Sequence, residues 1–137
     1  MVSARGFTLI EVTLVLGIIG ILTSLTLVAL NVPFQLQKTR DGTRKADMRN
    51  VQLALELYRT DQGSYPALIT CGNALAAGGS TYMQQVPCEK KSGWPAYSYV
   101  QVGSGYTLTA CLEVSSDTDA TGAVCGTNGK QYIVANL

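Results

Sequence analysis

A long apolar run near the start of the chain is the strongest pattern in the sequence. It covers residues 7–32 and contains one charged side chain, that of Glu11. About 20 helical residues suffice to cross the hydrocarbon core of a membrane, so the run predicts a transmembrane helix. A carboxylate at mid-bilayer costs roughly 2.5–3.5 kcal/mol, which makes Glu11 a functional candidate; the alternative is a tolerated residue reaching the membrane interface. Gly17 and Gly20 either permit close helix contact or are neutral.

Helical periodicity continues after the apolar run. Apolar residues recur at helical spacing at Met48, Val51, Leu55 and Tyr58. One continuous helix is therefore predicted over about residues 7–60, with a weak point at 31–33 and a stop at Gly63. Asp41 and Lys45 have the spacing of an i,i+4 ion pair. Their charged face is expected to be solvated or to contact other chains.

Alternating residues in the last third of the chain predict a small antiparallel sheet. The predicted strands are 97–102, 106–113 and 131–137. A Gly-Ser-Gly turn at 103–105 joins the first two strands. The segment 67–94 is rich in Gly, Ala and Ser and predicts a loop with a short helix near 74–77. The fold class expected from these elements is α+β, with a long N-terminal helix packed on the sheet.

The cysteines predict disulfide bonds. There are four, none in a C-x-x-C pair, which argues against a zinc site. An even count in a small exported domain favours two disulfides, out of three possible pairings. The favoured pairing joins sequence neighbours and would stabilise each loop by about 3 kcal/mol, namely Cys71–Cys88 and Cys111–Cys125. The alternative is four reduced thiols in a cytoplasmic domain.

Charge and composition narrow the classes of function. The formal net charge is +1, and removing Arg5 would balance the acidic and basic side chains. A chain without a basic surplus is not expected to bind nucleic acid as its main role. The sequence contains no histidine, the usual general base and the commonest metal ligand. We therefore do not expect an enzyme, and no catalytic residue is assigned.

The junction Gly6-Phe7-Thr8-Leu9-Ile10-Glu11 resembles the processing site of type IV pilins and type II secretion pseudopilins. The resemblance implies cleavage after Gly6 by prepilin peptidase, N-methylation of Phe7, and pairing of Glu11 with the N-terminal amine of a neighbouring subunit. A second stretch, residues 46–66, also resembles these proteins, since its helix end is followed by G-x-Y-P. Many members of the family carry a proline where this chain has Val28.

The same resemblance implies a division of the chain, a location and partners. The division is a leader at 1–6, a transmembrane and polymerisation helix at 7–32, an amphipathic helical half at 33–62 and an exported globular region at 63–137. The subunit would sit in the inner membrane with its N-terminus in the cytoplasm, as Arg5 also predicts, and then enter an extracellular filament or a periplasmic pseudopilus. Its partners would be copies of itself, prepilin peptidase, the inner-membrane assembly platform and its motor ATPase.

Three roles follow from the resemblance. The first is the structural subunit of a type IV pilus or pilus-like filament, and the alternative is a pseudopilin of a type II secretion system. A lesser alternative is a minor tip pilin that binds DNA or a surface ligand through Trp94, Tyr97 and Tyr99, although packing in the core or a hairpin is the favoured use of these residues. Asp117 and Asp119 are weak candidates for binding calcium. The favoured interpretation is that they belong to a solvated polar turn. No other cofactor is expected.

Overall fold

The chain has an α+β fold, as predicted. The computed structural model describes residues 6–29 and 31–136, which form two compact units, one ending at Pro33 and the other beginning at Phe34. The elements are α1 (Leu9–Ala29), α2 (Val32–Gln62), β1 (Leu75–Ala77), β2 (Ser80–Met83), β3 (Ser98–Val102), β4 (Gly105–Leu112), β5 (Val124–Cys125) and β6 (Gly129–Asn136). Residues 1–5, which include Arg5 and most of the predicted leader, lie outside the described residues, as do Leu30 and Leu137.

The prediction of one continuous helix is wrong, because the helix is divided at the weak point. α1 ends at Ala29 and α2 begins at Val32. Asn31, immediately before α2, is a residue type favoured at helix N-caps. Pro33 lies in the first turn of α2, where the missing N–H has no intrahelical partner to lose. A helix start is therefore encoded at the position where the apolar run ends.

One face of α2 forms the core of the second unit with the sheet. Met48, Val51, Ala54 and Leu55 are buried against β-strand residues that include Tyr106 and Leu108. α2 ends where Gly63 adopts a left-handed conformation, with φ of 78°, and its N–H donates to the Arg59 carbonyl at 2.8 Å. Gly63 is the predicted helix stop, and its positive φ explains why glycine suits the position.

The main sheet is antiparallel, with strand order β3-β4-β6-β5. Tyr99 pairs with Leu108 across β3 and β4, and Leu108 pairs with Val134 across β4 and β6. The three predicted strands are present, while the two-residue β5 was not predicted. Residues of β4 with buried side chains alternate with half-buried ones, which places the inner face of the sheet on α2.

The short helix predicted near residues 74–77 is wrong. Residues Leu75–Ala77 form β1, which pairs with β2 in a separate two-stranded sheet. Gly78 and Gly79 connect the strands with φ of 57° and 83°. Two consecutive positive φ values are what a tight hairpin turn requires, and glycine adopts them without strain. The Gly-Gly dipeptide, which indicates a hairpin turn, was therefore a stronger local signal than the alanines before it, which favour a helix.

Both disulfides are present in the favoured pairing. Cys71 is bonded to Cys88, with Cα atoms 5.1 Å apart, and this bond closes the segment that carries β1 and β2. Cys111 is bonded to Cys125, with Cα atoms 5.9 Å apart, and this bond joins β4 to β5. Each disulfide therefore attaches a loop-rich segment to the rest of the second unit.

Candidate functional site

The first turn of α1 is organised by Thr8 and Glu11. The Thr8 N–H and hydroxyl donate to Glu11 Oε2 at 3.0 and 2.9 Å, and the Glu11 N–H donates to Thr8 Oγ1 at 3.3 Å. This reciprocal arrangement is a capping box, which supplies partners for N–H groups that have none inside the helix. Glu11 therefore has a local structural role that its charge alone did not reveal. Phe7, next to the cap, is fully outside the helix and exposed.

The rest of α1 is suited to an apolar environment. Its 21 residues include one charged side chain, that of Glu11, and it is long and apolar enough to cross a membrane, a test that a signal sequence also passes. Its hydroxyl groups donate to carbonyls of the same helix at 2.7–3.0 Å, namely those of Thr13, Thr23, Ser24 and Thr26. Polar groups bonded within the helix can enter lipid or a protein interface at low cost.

The two glycines of α1 leave space beside the helix. A Cβ placed on Gly17 or Gly20 would meet no atom within 4 Å. Within the described part of the chain, the side chains of residues 6–26 are all exposed. Nothing in the single chain therefore requires glycine at these positions, and close contact with a second helix stays a prediction.

The second unit contains a buried charge cluster, which we define as Arg40, Asp41, Arg44, Glu89, Lys91 and Glu113. Asp41 and Arg44 are 1% and 2% exposed. Arg44 donates to both oxygens of Glu89 at 2.7 and 2.9 Å, and to Asp41 and Glu113 at 2.7 and 2.8 Å. Arg40 and Lys91 complete the shell around Glu113 with bonds of 2.7–2.8 Å. Three acidic and three basic groups thus compensate one another, with Arg44 and the three carboxylates buried and with Arg40 and Lys91 at the solvent-accessible edge.

Asp41 connects α2 to the backbone at the end of β4. Its two oxygens accept the N–H groups of Glu113 and Val114, each at 2.8 Å. The predicted Asp41–Lys45 pair is therefore wrong, because Asp41 points inward and pairs with Arg44, while Lys45 pairs elsewhere. The predicted solvated face of α2 is also wrong at these positions. The i,i+4 spacing gave no signal for the long-range partners that compete for these side chains.

Because of the charge cluster, the stability of the second unit is expected to fall at acid pH. Hydrogen bonds from Arg40 hold the pKa of Glu113 well below its ordinary value of 4.5. Burial opposes ionisation of Glu89, but its bonds with Arg44 outweigh burial and lower its pKa as well. A carboxylate with a lowered pKa in the folded state stabilises the fold above its unfolded pKa and loses that contribution as the pH falls.

We therefore expect the free energy of unfolding to fall progressively below about pH 4.5. Urea unfolding of the full chain in non-ionic detergent, followed from pH 8 to pH 2, measures it. The upper part of the range is an internal control, since the sequence has no histidine to titrate there. Stability that rises on acidification, or falls mainly between pH 8 and 6, would contradict the expectation.

No protein-family model, curated protein sequence or solved structure matches this chain. The interpretation of its sites therefore rests on their own geometry.

Trp94 packs within the second unit rather than forming an open stacking surface. Its indole N–H donates to the Cys111 carbonyl at 2.7 Å, and Lys91 Nζ lies 3.9 Å from the ring centroid. A Cβ on Gly126 or Gly129 would come within 2.8 or 2.9 Å of the ring. The ring thus lies against two backbone segments and beneath a cation. Of the two roles considered for Trp94, this geometry favours packing within the unit over stacking on a ligand.

Tyr97 and Tyr99 are also committed to contacts inside the unit. The Tyr97 hydroxyl donates to Asp47 at 3.0 Å, and the Tyr99 hydroxyl donates to the Pro66 carbonyl at 2.5 Å. Burial raises the pKa of Tyr97 well above its ordinary value and that of Tyr99 to about 12. The three aromatic residues grouped by sequence therefore attach β3 and its neighbours to α2 and to the loop at Pro66.

The calcium candidates Asp117 and Asp119 are brought together, but around a different cation. Lys45 Nζ donates to Asp117 Oδ1 at 2.6 Å and to Asp119 Oδ2 at 2.7 Å. The part of the chain that the structure describes contains no group of three or more His, Cys, Asp or Glu side chains able to hold a metal ion. With the Lys45 ammonium between them, Asp117 and Asp119 leave no room for a calcium ion.

Proposed function

We propose that this chain is the structural subunit of a type IV pilus or pilus-like filament. In this proposal the chain is inserted in the inner membrane, cleaved after Gly6, methylated at Phe7 and polymerised through α1. The observation that carries the proposal is the position of Glu11. It is the one charged side chain of an otherwise apolar helix, fixed in the first turn, four residues after the proposed new N-terminus.

The geometry of the capping box supports a role for Glu11 between subunits. Thr8 bonds to Oε2, and among the described residues of the same chain no partner is present for Oε1. A carboxylate that keeps its charge in an apolar environment needs a cation close by. Cleavage after Gly6 would create an amine on Phe7, and the amine of a neighbouring copy would supply that cation. The ion pair would fix the axial position of one helix against the next.

The disulfides of the second unit support the proposal that the subunit works outside the cytoplasm. Two disulfides close its loops, and they persist in oxidising compartments. Of the two filament types, we favour the surface pilus over the secretion pseudopilus. The disulfides suit an exposed fibre, and Lys45 occupies the acidic turn that was the calcium candidate.

The N-terminus of the mature protein tests this proposal. We expect intact-mass and N-terminal sequencing of protein from native membranes or filaments to find a chain that begins at methylated Phe7. A Gly6→Val variant is expected to keep its leader, since the residue matching the cleavage site is changed. Protein that still begins at Met1, or that is cut after the apolar run, would overturn the proposal.

A further inference from the structure

A lysine from α2 occupies the centre of an acidic turn. The Lys45 ammonium lies between Asp117 and Asp119, with nitrogen–oxygen distances of 2.6 and 2.7 Å. The Lys45 and Asp117 side chains are each less than one-fifth exposed. The Lys45 stem passes near Tyr132, whose ring centroid is 5.9 Å from Nζ. The contact therefore joins three separate segments, α2, the turn and β6.

The turn itself is arranged so that its carboxylates converge. The Asp117 N–H donates to the Val114 carbonyl at 3.1 Å, and the Ala120 N–H donates to the Asp117 carbonyl at 3.1 Å. Asp117 Oδ1 also accepts the Asp119 N–H at 3.0 Å, which brings the two side chains to the same side. Two carboxylates held this close repel each other unless a cation lies between them.

A divalent cation would use the same oxygens. Ca²⁺ prefers several carboxylate and carbonyl oxygens at 2.3–2.6 Å and would have to occupy the space that the Lys45 ammonium fills. Burial alone would lower the pKa of Lys45, but its hydrogen bonds to Asp117 and Asp119 outweigh that effect and raise it. The bond from Lys45 likewise lowers the pKa of Asp117. Lys45 and Asp117 therefore both keep their charges.

We propose that Lys45 is the built-in cation of this turn and holds residues 114–120 against α2 in place of a bound metal ion. A covalently attached cation cannot dissociate, so the turn keeps its position when metal ions are scarce. The fold of the second unit then does not require calcium, because the Lys45 side chain on α2 supplies the positive charge. This inference concerns the fold of the second unit and stands whether or not the chain forms filaments.

The test compares Lys45→Met with Lys90→Met in the full chain in non-ionic detergent. Both variants lose one positive charge, but Lys90 is exposed and no contact of its side chain is part of the turn. In EDTA we expect Lys45→Met to melt roughly 5 °C below the wild type. Lys90→Met should melt at the same temperature as the wild type. Millimolar CaCl2 should restore much of the loss in Lys45→Met and leave the wild type unchanged.

Terbium gives a second measurement at the same site. Tyr132 is close enough to the Lys45 Nζ position to sensitise the luminescence of Tb³⁺ bound there. We expect sensitised luminescence with Lys45→Met, and neither luminescence nor calcium rescue when Asp117→Asn and Asp119→Asn are added. The proposal is overturned if the wild type itself binds Tb³⁺ or is stabilised by CaCl2. It is equally overturned if Lys45→Met melts like Lys90→Met, or if its loss is not restored by CaCl2.

Discussion

Cells carrying Glu11→Gln are expected to process the chain normally and to lose its filaments. Glutamine preserves the shape of the side chain and can still accept the Thr8 N–H and hydroxyl bonds that cap α1. The substitution removes the negative charge alone. In the proposed filament this leaves the Phe7 amine of a neighbour without a counterion in an apolar environment, which opposes every contact between subunits. Filaments should therefore be lost or nearly lost.

Thr8→Ala is the matched control, because it removes the cap and keeps the charge. Loss of an N-cap hydroxyl costs about 1 kcal/mol of helix stability. Filaments should therefore persist in this variant, at a somewhat reduced yield, and electron microscopy of sheared cells with mass analysis of the mature chain measures both variants. If Glu11→Gln assembled normally while Thr8→Ala did not, Glu11 would be a capping residue and not an assembly residue.

The substitution Arg44→Met is expected to be the most destabilising change in the second unit. Arg44 is 2% exposed and contacts Asp41, Glu89 and Glu113, so its removal leaves buried carboxylates without their central cation. Breaking a buried pair in this way costs roughly 3–5 kcal/mol. A domain of ordinary stability has only about 5–15 kcal/mol in total. Urea unfolding of the full chain in detergent gives the difference directly.

Substitutions of two further arginines on α2 are the controls for the Arg44→Met measurement. Arg49 is exposed, and Arg49→Met should change the stability by less than about 0.5 kcal/mol. The Arg40 side chain is 44% exposed, and Arg40→Met should be far less destabilising than Arg44→Met, since solvent screens the pair of Arg40 with Glu113. A cost for Arg44→Met no larger than that for Arg49→Met would show that the buried charge cluster does not stabilise the fold.

Local patterns in the sequence predicted the elements of the fold. The apolar run, the period of α2 and the alternation of β3, β4 and β6 depend on neighbouring residues, and the helices and strands that they predict are confirmed. That α1 crosses a membrane stays a prediction. Gly63 and the two disulfides were also predictable, because a helix stop and the pairing of sequence neighbours involve short separations. A weak point at residues 31–33 was predicted, although the end of one helix and the start of another there were not. The hairpin at Gly78 was missed although the Gly-Gly dipeptide was a local signal for it.

The charged contacts could not be predicted from spacing. Arg44 and Glu113 are separated by 69 residues, and Lys45 and Asp117 by 72. Nothing in the sequence near Arg44 indicates which carboxylates reach it, because the partners are chosen by how β4 and the disulfide-closed segment fold onto α2. The capping role of Glu11 was different, since the Thr8–Glu11 spacing is a recognised helix start and was available in the sequence.

The balance of charges inside the buried charge cluster sets how the second unit responds to its surroundings. Dissolved ions weaken the attraction between exposed charges within about 8–10 Å at ordinary ionic strength, but they act much less on pairs that water does not reach. With Arg40 and Lys91 included, the cluster carries three positive and three negative charges, and the pairs of Arg44 with Asp41, Glu89 and Glu113 are the ones withdrawn from water. The folded unit should therefore keep these central pairs in dilute fresh water and in concentrated brine alike, a property that would suit the filament subunit proposed above.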